Sequence, residues 1–281
     1  MAALTGTDTA VPRPDRVRRR RRRPAVGRWL VLLVAAGYFI VPLWSAVRFT
    51  LRAPGSGSAL SAYTSIPSLP GFSHAIGLSL RLALITTVLV LAILVPTSVY
   101  LHLRLPRLLR LVEGTTVLPI VVPPVVLIVG VLQVAPDRLK GTPYLLALEY
   151  VVLAFPFAFR SLDAGLRAID LRTLVEASRS LGGGWATTLL RVVLPNLRSA
   201  LLSATVLTVA LVLGEFTMAS LDQYQTFPSW VVAFQQDDAR VSVAVSLLAL
   251  VVTWLLLMLI STLDRRRVER GRSPSPLGEP T

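Results

Sequence analysis

The sequence predicts an all-helical membrane protein, with six transmembrane helices and a polar cytoplasmic element between the fourth and the fifth. Three observations point there. Apolar residues make up 53% of the 281 residues and charged ones only 16%, with a mean hydropathy of +0.65, more apolar than a soluble domain. Several runs approach or exceed the ~18–20 apolar residues that cross a bilayer as a helix. The 29 Lys and Arg, against 15 Asp and Glu, gather beside those runs rather than within them.

Residues 1–26 hold Arg, Thr and Pro and read as a disordered basic segment. Its arginine tract, Arg18 to Arg23, serves as a topology anchor; attachment to nucleic acid or anionic lipid is the other reading. No small-residue cleavage pattern follows the first apolar run, so a signal peptide is not expected. The six-span membrane domain is placed at 27–264, with a core at about 76–262. Its spans are expected at 29–47, 76–103, 115–134, 144–159, 197–219 and 241–262. Helices are required because a lipid-exposed backbone must satisfy its own hydrogen bonds. The stretch 50–75 is rich in Gly, Ser and Pro and reads as a loop, and 265–281 as a flexible cytoplasmic tail.

Arginine placement sets the orientation. Nine arginines lie between Arg13 and Arg28, three follow the second span, five follow the fourth (Arg160, Arg167, Arg172, Arg179, Arg191), and Arg265-Arg266-Arg267 follow the sixth. The other three connections are poor in basic residues. Both termini and the polar element are therefore expected in the cytoplasm.

That element runs from Asp170 to Pro195. Asp170 or Thr173 can cap a helix, and Thr173-x-x-Glu176 fits a capping box. Leu174, Ala177, Ser178 and Leu181 share one face at helical spacing. Arg172, Glu176 and Arg179 share the other and are spaced to pair at i,i+4 and i,i+3. Gly182 stands where a helix ends in the left-handed conformation. Residues 185–193 can form a second short helix, and Pro195 opens the next span. An interfacial hairpin without a partner would look the same.

The spacing decides between them. Glu176-Ala177-Ser178, then three residues, Gly182, nine residues, Val192, one residue and Leu194-Pro195 resembles the signature loop of binding-protein-dependent ABC importer permeases. Five positions match that pattern, while Ser178 and Val192 replace alanine and isoleucine. Leu118-Pro119 with Pro123-Pro124 and Gly130 resembles the family's proline-rich third core span. Pro156-Phe157 with Arg160, Leu166 and Asp170 is similar to its lead-in to the loop. The resemblance implies that Asp170, Leu174, Glu176, Ala177, Ser178, Leu181, Gly182, Leu194 and Pro195 form a coupling helix and loop. This would rest on an ATP-binding subunit. It also implies two such subunits, a second permease copy or relative, an extracytoplasmic solute-binding protein and a lipid surrounding, with no nucleic acid. ATP would be used by the partner, and no cofactor or metal is expected in this chain.

Enzyme classes are poorly served. Lys140, preceded by Leu139, is the only lysine, so no phosphate-binding Gly-Lys loop exists. There is no cysteine, and His74 and His102 flank a span rather than meeting. No Ser, His and Asp cluster lies in the spans. A scaffold or receptor would give no reason for the signature spacing.

Arg81, Glu149 and Glu215 are the charges at membrane depth. Arg81 and Glu149 are expected near the outer interface. Two readings are open for Glu215, a pathway carboxylate or a helix-packing hydrogen bond. Pro119, Pro123 and Pro124 kink their helix, as a gate or as a static bend. Leu213-Gly214-Glu215-Phe216 resembles the polyamine and ferric-iron branches. With Asp222, Asp237 and Asp238 outside, it favours a polyamine-like cation; ferric iron, thiamine or an oxyanion are the alternatives.

Overall fold

Pro42 lies inside the first long helix, and proline recurs at or near the start of several later elements, so the chain is cut into long spans and short connecting turns. The computed structural model describes residues 26–52 and 58–270. The residues expected to form the basic N-terminus (1–25) and the last part of the tail (271–281) lie outside that range. The chain divides into two units, Met1–Ala46 and Val47–Thr281.

Helix α1, Val26–Leu51, supplies the described part of the first unit and runs on into the second. Its large side chains, among them Trp29, Leu33, Phe39 and Trp44, are exposed and apolar, as suits a helix that meets lipid.

The second unit begins with the short helix α2 (Ser61–Thr64) and a 3-10 turn at Ile66–Ser68, so the expected loop is partly structured. Helix α3 spans Phe72–Arg104, and α4 covers Pro106–Thr115. The third expected span is not one helix. It is α4, then α5 (Leu118–Val121), then α6 (Pro124–Val134), with a bend of 101° at Val122–Pro123. Pro123 and Pro124 lack the N–H groups that would carry a helix through this point. Helix α7 is Pro143–Arg167, longer than expected.

Next come α8 (Leu171–Ser180), α9 (Trp185–Thr187), a π-type stretch at Thr188–Val193 and α10 (Leu194–Asn196). The fifth expected span is also broken: α11 (Arg198–Gly214) stops at Glu215, and α12 (Thr217–Leu221) restarts beyond it. Helix α13 is Phe227–Phe234, and α14 is Ala239–Arg270, six residues into the expected flexible tail. Among the described residues, four helices are long and apolar enough to cross a membrane, or five with the bent pair, and Ala239–Leu255 is a shorter apolar stretch.

Helices α3, α7 and α11 pack on one another and carry the core. Small side chains let them approach: Ala154, Ala158 and Ala204 are fully buried, and a Cβ on Gly165 would fall 2.3 Å from the Ala200 Cβ. A second cluster joins Leu82, Ile128, Leu146, Tyr150, Val212 and Met218. A third surrounds Trp230, whose Nε1 donates to the Pro70 carbonyl at 3.0 Å.

Candidate functional site

The polar element at the end of α7 is built locally. The Asp170 carboxylate caps α8 by accepting from the Thr173 amide at 3.3 Å and the Thr173 hydroxyl at 2.7 Å. The hydroxyl bond, then the amide bond, hold the Asp170 carboxyl below its ordinary pKa. The capping box expected between Thr173 and Glu176 does not form, because Thr173 already lies inside the helix.

The C-terminus of α8 is a full Schellman motif. Gly182 has φ of +81°, its amide donates to the Arg179 carbonyl, and the Gly183 amide donates to the Ser178 carbonyl, both at 2.9 Å. Gly183 is as constrained as Gly182, though for another reason. A Cβ there would sit 2.6 Å from Ser178 Oγ and 2.7 Å from the Ser178 carbonyl. Ser178 Oγ in turn pairs with Thr188 Oγ1 at 2.8 Å, closing α8 against the returning chain. That return is a wide π turn leading to Pro195, which has no N–H to offer the Arg191 carbonyl.

The facing of α8 differs in part from expectation. Leu171 and Val175 are its buried anchors, packed with Val99, Leu166, Val193 and Leu197. Leu174 and Ser178 are half-buried, Ala177 is exposed, and Leu181 is 89% exposed. Glu176, Arg172 and Arg179 are exposed, and among the described residues no ion pair joins them, so the expected pairing is absent. Leu194 is half-buried against the core, while Pro195 is exposed. The result is a rigidly closed hairpin that presents an apolar tip and charged flanks.

An ionic network, unread in the sequence, lies beside it. His102 Nε2 is 3.0 Å from Asp163 Oδ1, Arg167 Nε is 2.9 Å from Asp163 Oδ2, and Arg167 also pairs with Glu113. It joins the ends of α3, α4 and α7 just before the hairpin. Only the i,i+4 spacing of Asp163 and Arg167 was visible in sequence.

No protein-family model matches the chain. A molybdenum transport system permease protein ModB of Azotobacter vinelandii is 33% identical over 156 residues, 50% of this chain and 69% of that protein. The chain belongs to the permeases of binding-protein-dependent ABC importers. Proteins of the same name from Mycobacterium tuberculosis and Mycobacterium bovis are each 28% identical over 250 residues, 82% of this chain and 92% of theirs. All three are named for molybdenum, and the polyamine or ferric-iron branch finds no support among them. This permease is a transport subunit rather than an enzyme, and a multi-pass protein of the inner membrane.

The permease's remaining sequence-marked residues lie apart from the hairpin. Glu215 sits in the break between α11 and α12. Its carboxylate accepts from the amides of Met218 at 3.0 and 3.1 Å and Ala219 at 3.3 Å, and from the Tyr150 hydroxyl at 3.1 Å. It therefore caps α12. Glu149, expected within reach of the outer interface, is 1% exposed within the bundle, and neither of its oxygens has a hydrogen-bond partner. Arg81 has a partner: its guanidinium donates to Tyr144 Oη at 3.1 Å and lies over that ring. Asp238 is engaged too, accepting from the amides of Arg240 and Val241 at the start of α14. Asp222 is half-buried, and that burial raises its carboxyl pKa above the ordinary value. Pro119 and Pro124 open α5 and α6, and Pro123 occupies the bend.

Proposed function

We propose that this permease forms part of the translocation pathway of an importer for an oxyanion, with molybdate as the leading solute. The naming of relatives that align with 82% of the chain carries the reading. The structure supplies a second reason to prefer it to a polyamine-like cation. Two of the four carboxylates that favoured a cation are committed elsewhere, Glu215 to the start of α12 and Asp238 to the start of α14. Molybdate is a tetrahedral dianion in neutral water, and unpaired carboxylates along its path would repel it.

The hairpin α8–α10 is the contact with a separate ATP-binding subunit. Two such subunits, a second permease copy or relative and an extracytoplasmic binding protein complete the machine, and ATP is bound and hydrolysed by the partner alone. Closure of the ATPase pair moves the hairpins, and the hairpins move the spans. Alternating access then follows from a shift between two arrangements of the same bundle. The closed Schellman turn and the Ser178–Thr188 bond support this role, because a lever must be stiff to transmit displacement.

The test is reconstitution with the partner ATPase and binding protein in liposomes. Molybdate should stimulate ATP hydrolysis and be taken up, whereas spermidine and ferric citrate should do neither. Stimulation by spermidine without stimulation by molybdate would overturn the solute assignment. Orientation is tested separately on this cysteine-free chain by placing Cys at Arg172. An impermeant thiol reagent should fail to label it from outside intact cells.

A further inference from the structure

We propose that a cleft between the end of α3 and the α8–α9 turn is a binding site for the headgroup of an anionic phospholipid. The cleft has a volume of about 540 Å³ and is lined by Pro96, Thr97, Tyr100 and Arg104 of α3 with Arg179 of α8 and Trp185 of α9. Two guanidinium groups thus face one space from two different elements. Both arginines are exposed, and among the described residues neither takes part in an ion pair or a side-chain hydrogen bond. Three other arginines are engaged, Arg81 with Tyr144, Arg167 with Asp163 and Glu113, and Arg240 with Ser61. Among the described residues, Arg107, Arg110, Arg160, Arg172 and Arg191 share the lack of a side-chain partner without sharing the cleft. Arg104 and Arg179 are charges in a recess whose lining holds no residue of opposite sign.

The rest of the lining selects the ligand. Tyr100 and Trp185 are 50% and 41% exposed, amphipathic rings of the kind that settle at the headgroup level of a bilayer. Thr97 has its hydroxyl proton committed to the Ile93 carbonyl at 2.6 Å, so the charged donors available to an anion are the two guanidiniums, with the Tyr100 hydroxyl and the Trp185 indole N–H as neutral ones. Planar guanidinium forks match phosphate oxygens, and basic recesses between spans at the cytoplasmic surface suit lipid headgroups. Ring faces and the Pro96 edge suit the glycerol and upper acyl carbons that a free anion lacks. A lipid seated there joins a membrane span to the hairpin, and so fixes the angle at which the hairpin leaves the membrane. That consequence for activity rests on the hairpin being the ATPase contact; the binding site itself does not.

The experiment uses the assembled permease–ATPase complex in discs of phosphatidylcholine alone or phosphatidylcholine with phosphatidylglycerol. Native mass spectrometry should show phosphatidylglycerol retained by the wild-type chain. Arg104→Gln with Arg179→Gln should lower that retention by roughly ten- to thirtyfold, about what two interfacial arginines contribute. Lysine at both positions should retain most of it, which separates loss of charge from misfolding. Solute-stimulated ATP hydrolysis should rise with phosphatidylglycerol in the wild type and not in the glutamine variant. Equal lipid retention by wild type and glutamine variant would overturn the proposal. So would full replacement of the lipid effect by inorganic phosphate in phosphatidylcholine discs, which would mark a free-anion site. Retention lost in the variant with ATP hydrolysis unchanged would uphold the site and count instead against the hairpin as the ATPase contact.

Discussion

Helices α7 and α11 run between two charged regions that are built on opposite plans. At one end the α8–α10 hairpin leaves Glu176, Arg172, Arg179 and Leu181 in the open, with its shape fixed by backbone turns. Toward the other end Glu149, Tyr150 and Glu215 are buried, and the Glu215 carboxylate organises the backbone around it. In the first region the backbone is self-sufficient and the side chains are free for a partner. In the second the Glu215 and Tyr150 side chains are consumed in holding the chain together, while Glu149 beside them is left without a partner. A charge in a membrane protein therefore signals function by being unspent as much as by its depth.

The contrast can be broken by exchanging the expected phenotypes. The largest effect is expected from Glu215→Ala. It strands the Met218 and Ala219 amides and the Tyr150 hydroxyl in a buried site, at roughly 1–3 kcal/mol for each group left without a partner. The subunit should be recovered in low yield or with a sharply lowered Tm in detergent. Glu215→Gln keeps an acceptor and should stay folded with a smaller drop. A normally folded Glu215→Ala that fails only in transport would move this residue into the pathway.

Gly182→Val should show the reverse pattern. A branched side chain at φ of +81° costs about 1–2 kcal/mol locally, too little to unfold the bundle and enough to displace the hairpin tip. Gly183→Ala should behave alike, because its Cβ would press on Ser178. Both should insert and keep a near wild-type Tm while solute-stimulated ATP hydrolysis falls; co-purification of the ATPase is the companion reading. A large loss of Tm in either would make the hairpin part of the structural core.

Glu176→Lys should be smaller still for stability. Glu176 makes no ion pair with Arg172 or Arg179, so charge reversal removes no existing bond. It adds a like charge beside two others, worth a few tenths of a kcal/mol in an exposed helix. Its effect should appear in ATPase affinity measured by titration, and should weaken as salt rises.

The hairpin was legible in sequence because its determinants are local. A cap at Asp170, a glycine at 182 and a proline at 195 act on their own turns, so spacing alone places them. The face of α8 was read less well. Leu174 and Val175 are adjacent apolar residues, and only the packing of Val175 against Val99 and Leu197 decides which one is the anchor. The breaks at Pro123 and Glu215 were hidden for a different reason. Hydropathy averages over a window and sees continuous apolar runs through 115–134 and 197–219, although the backbone bends by 101° in the first and the helix is interrupted at Glu215–Phe216 in the second. The burial of Glu149 is tertiary and leaves no local trace.

The bend at Val122–Pro123 has one more consequence, and it concerns water. A helix would satisfy the Ile120 carbonyl with a donor three or four residues ahead, yet those positions are Pro123 and Pro124, which have none to give. Ile120 and Val121 are 50% and 72% exposed, and among the described residues no turn, loop or side-chain donor meets this oxygen. Hydrocarbon cannot hydrate a carbonyl, and irregular backbone at membrane depth persists only beside protein or a wet cavity. The Ile120 carbonyl, set among the apolar side chains of α5 and α6, thus calls for a donor from neighbouring protein or from water, and the bilayer's own tails cannot be what lies against it.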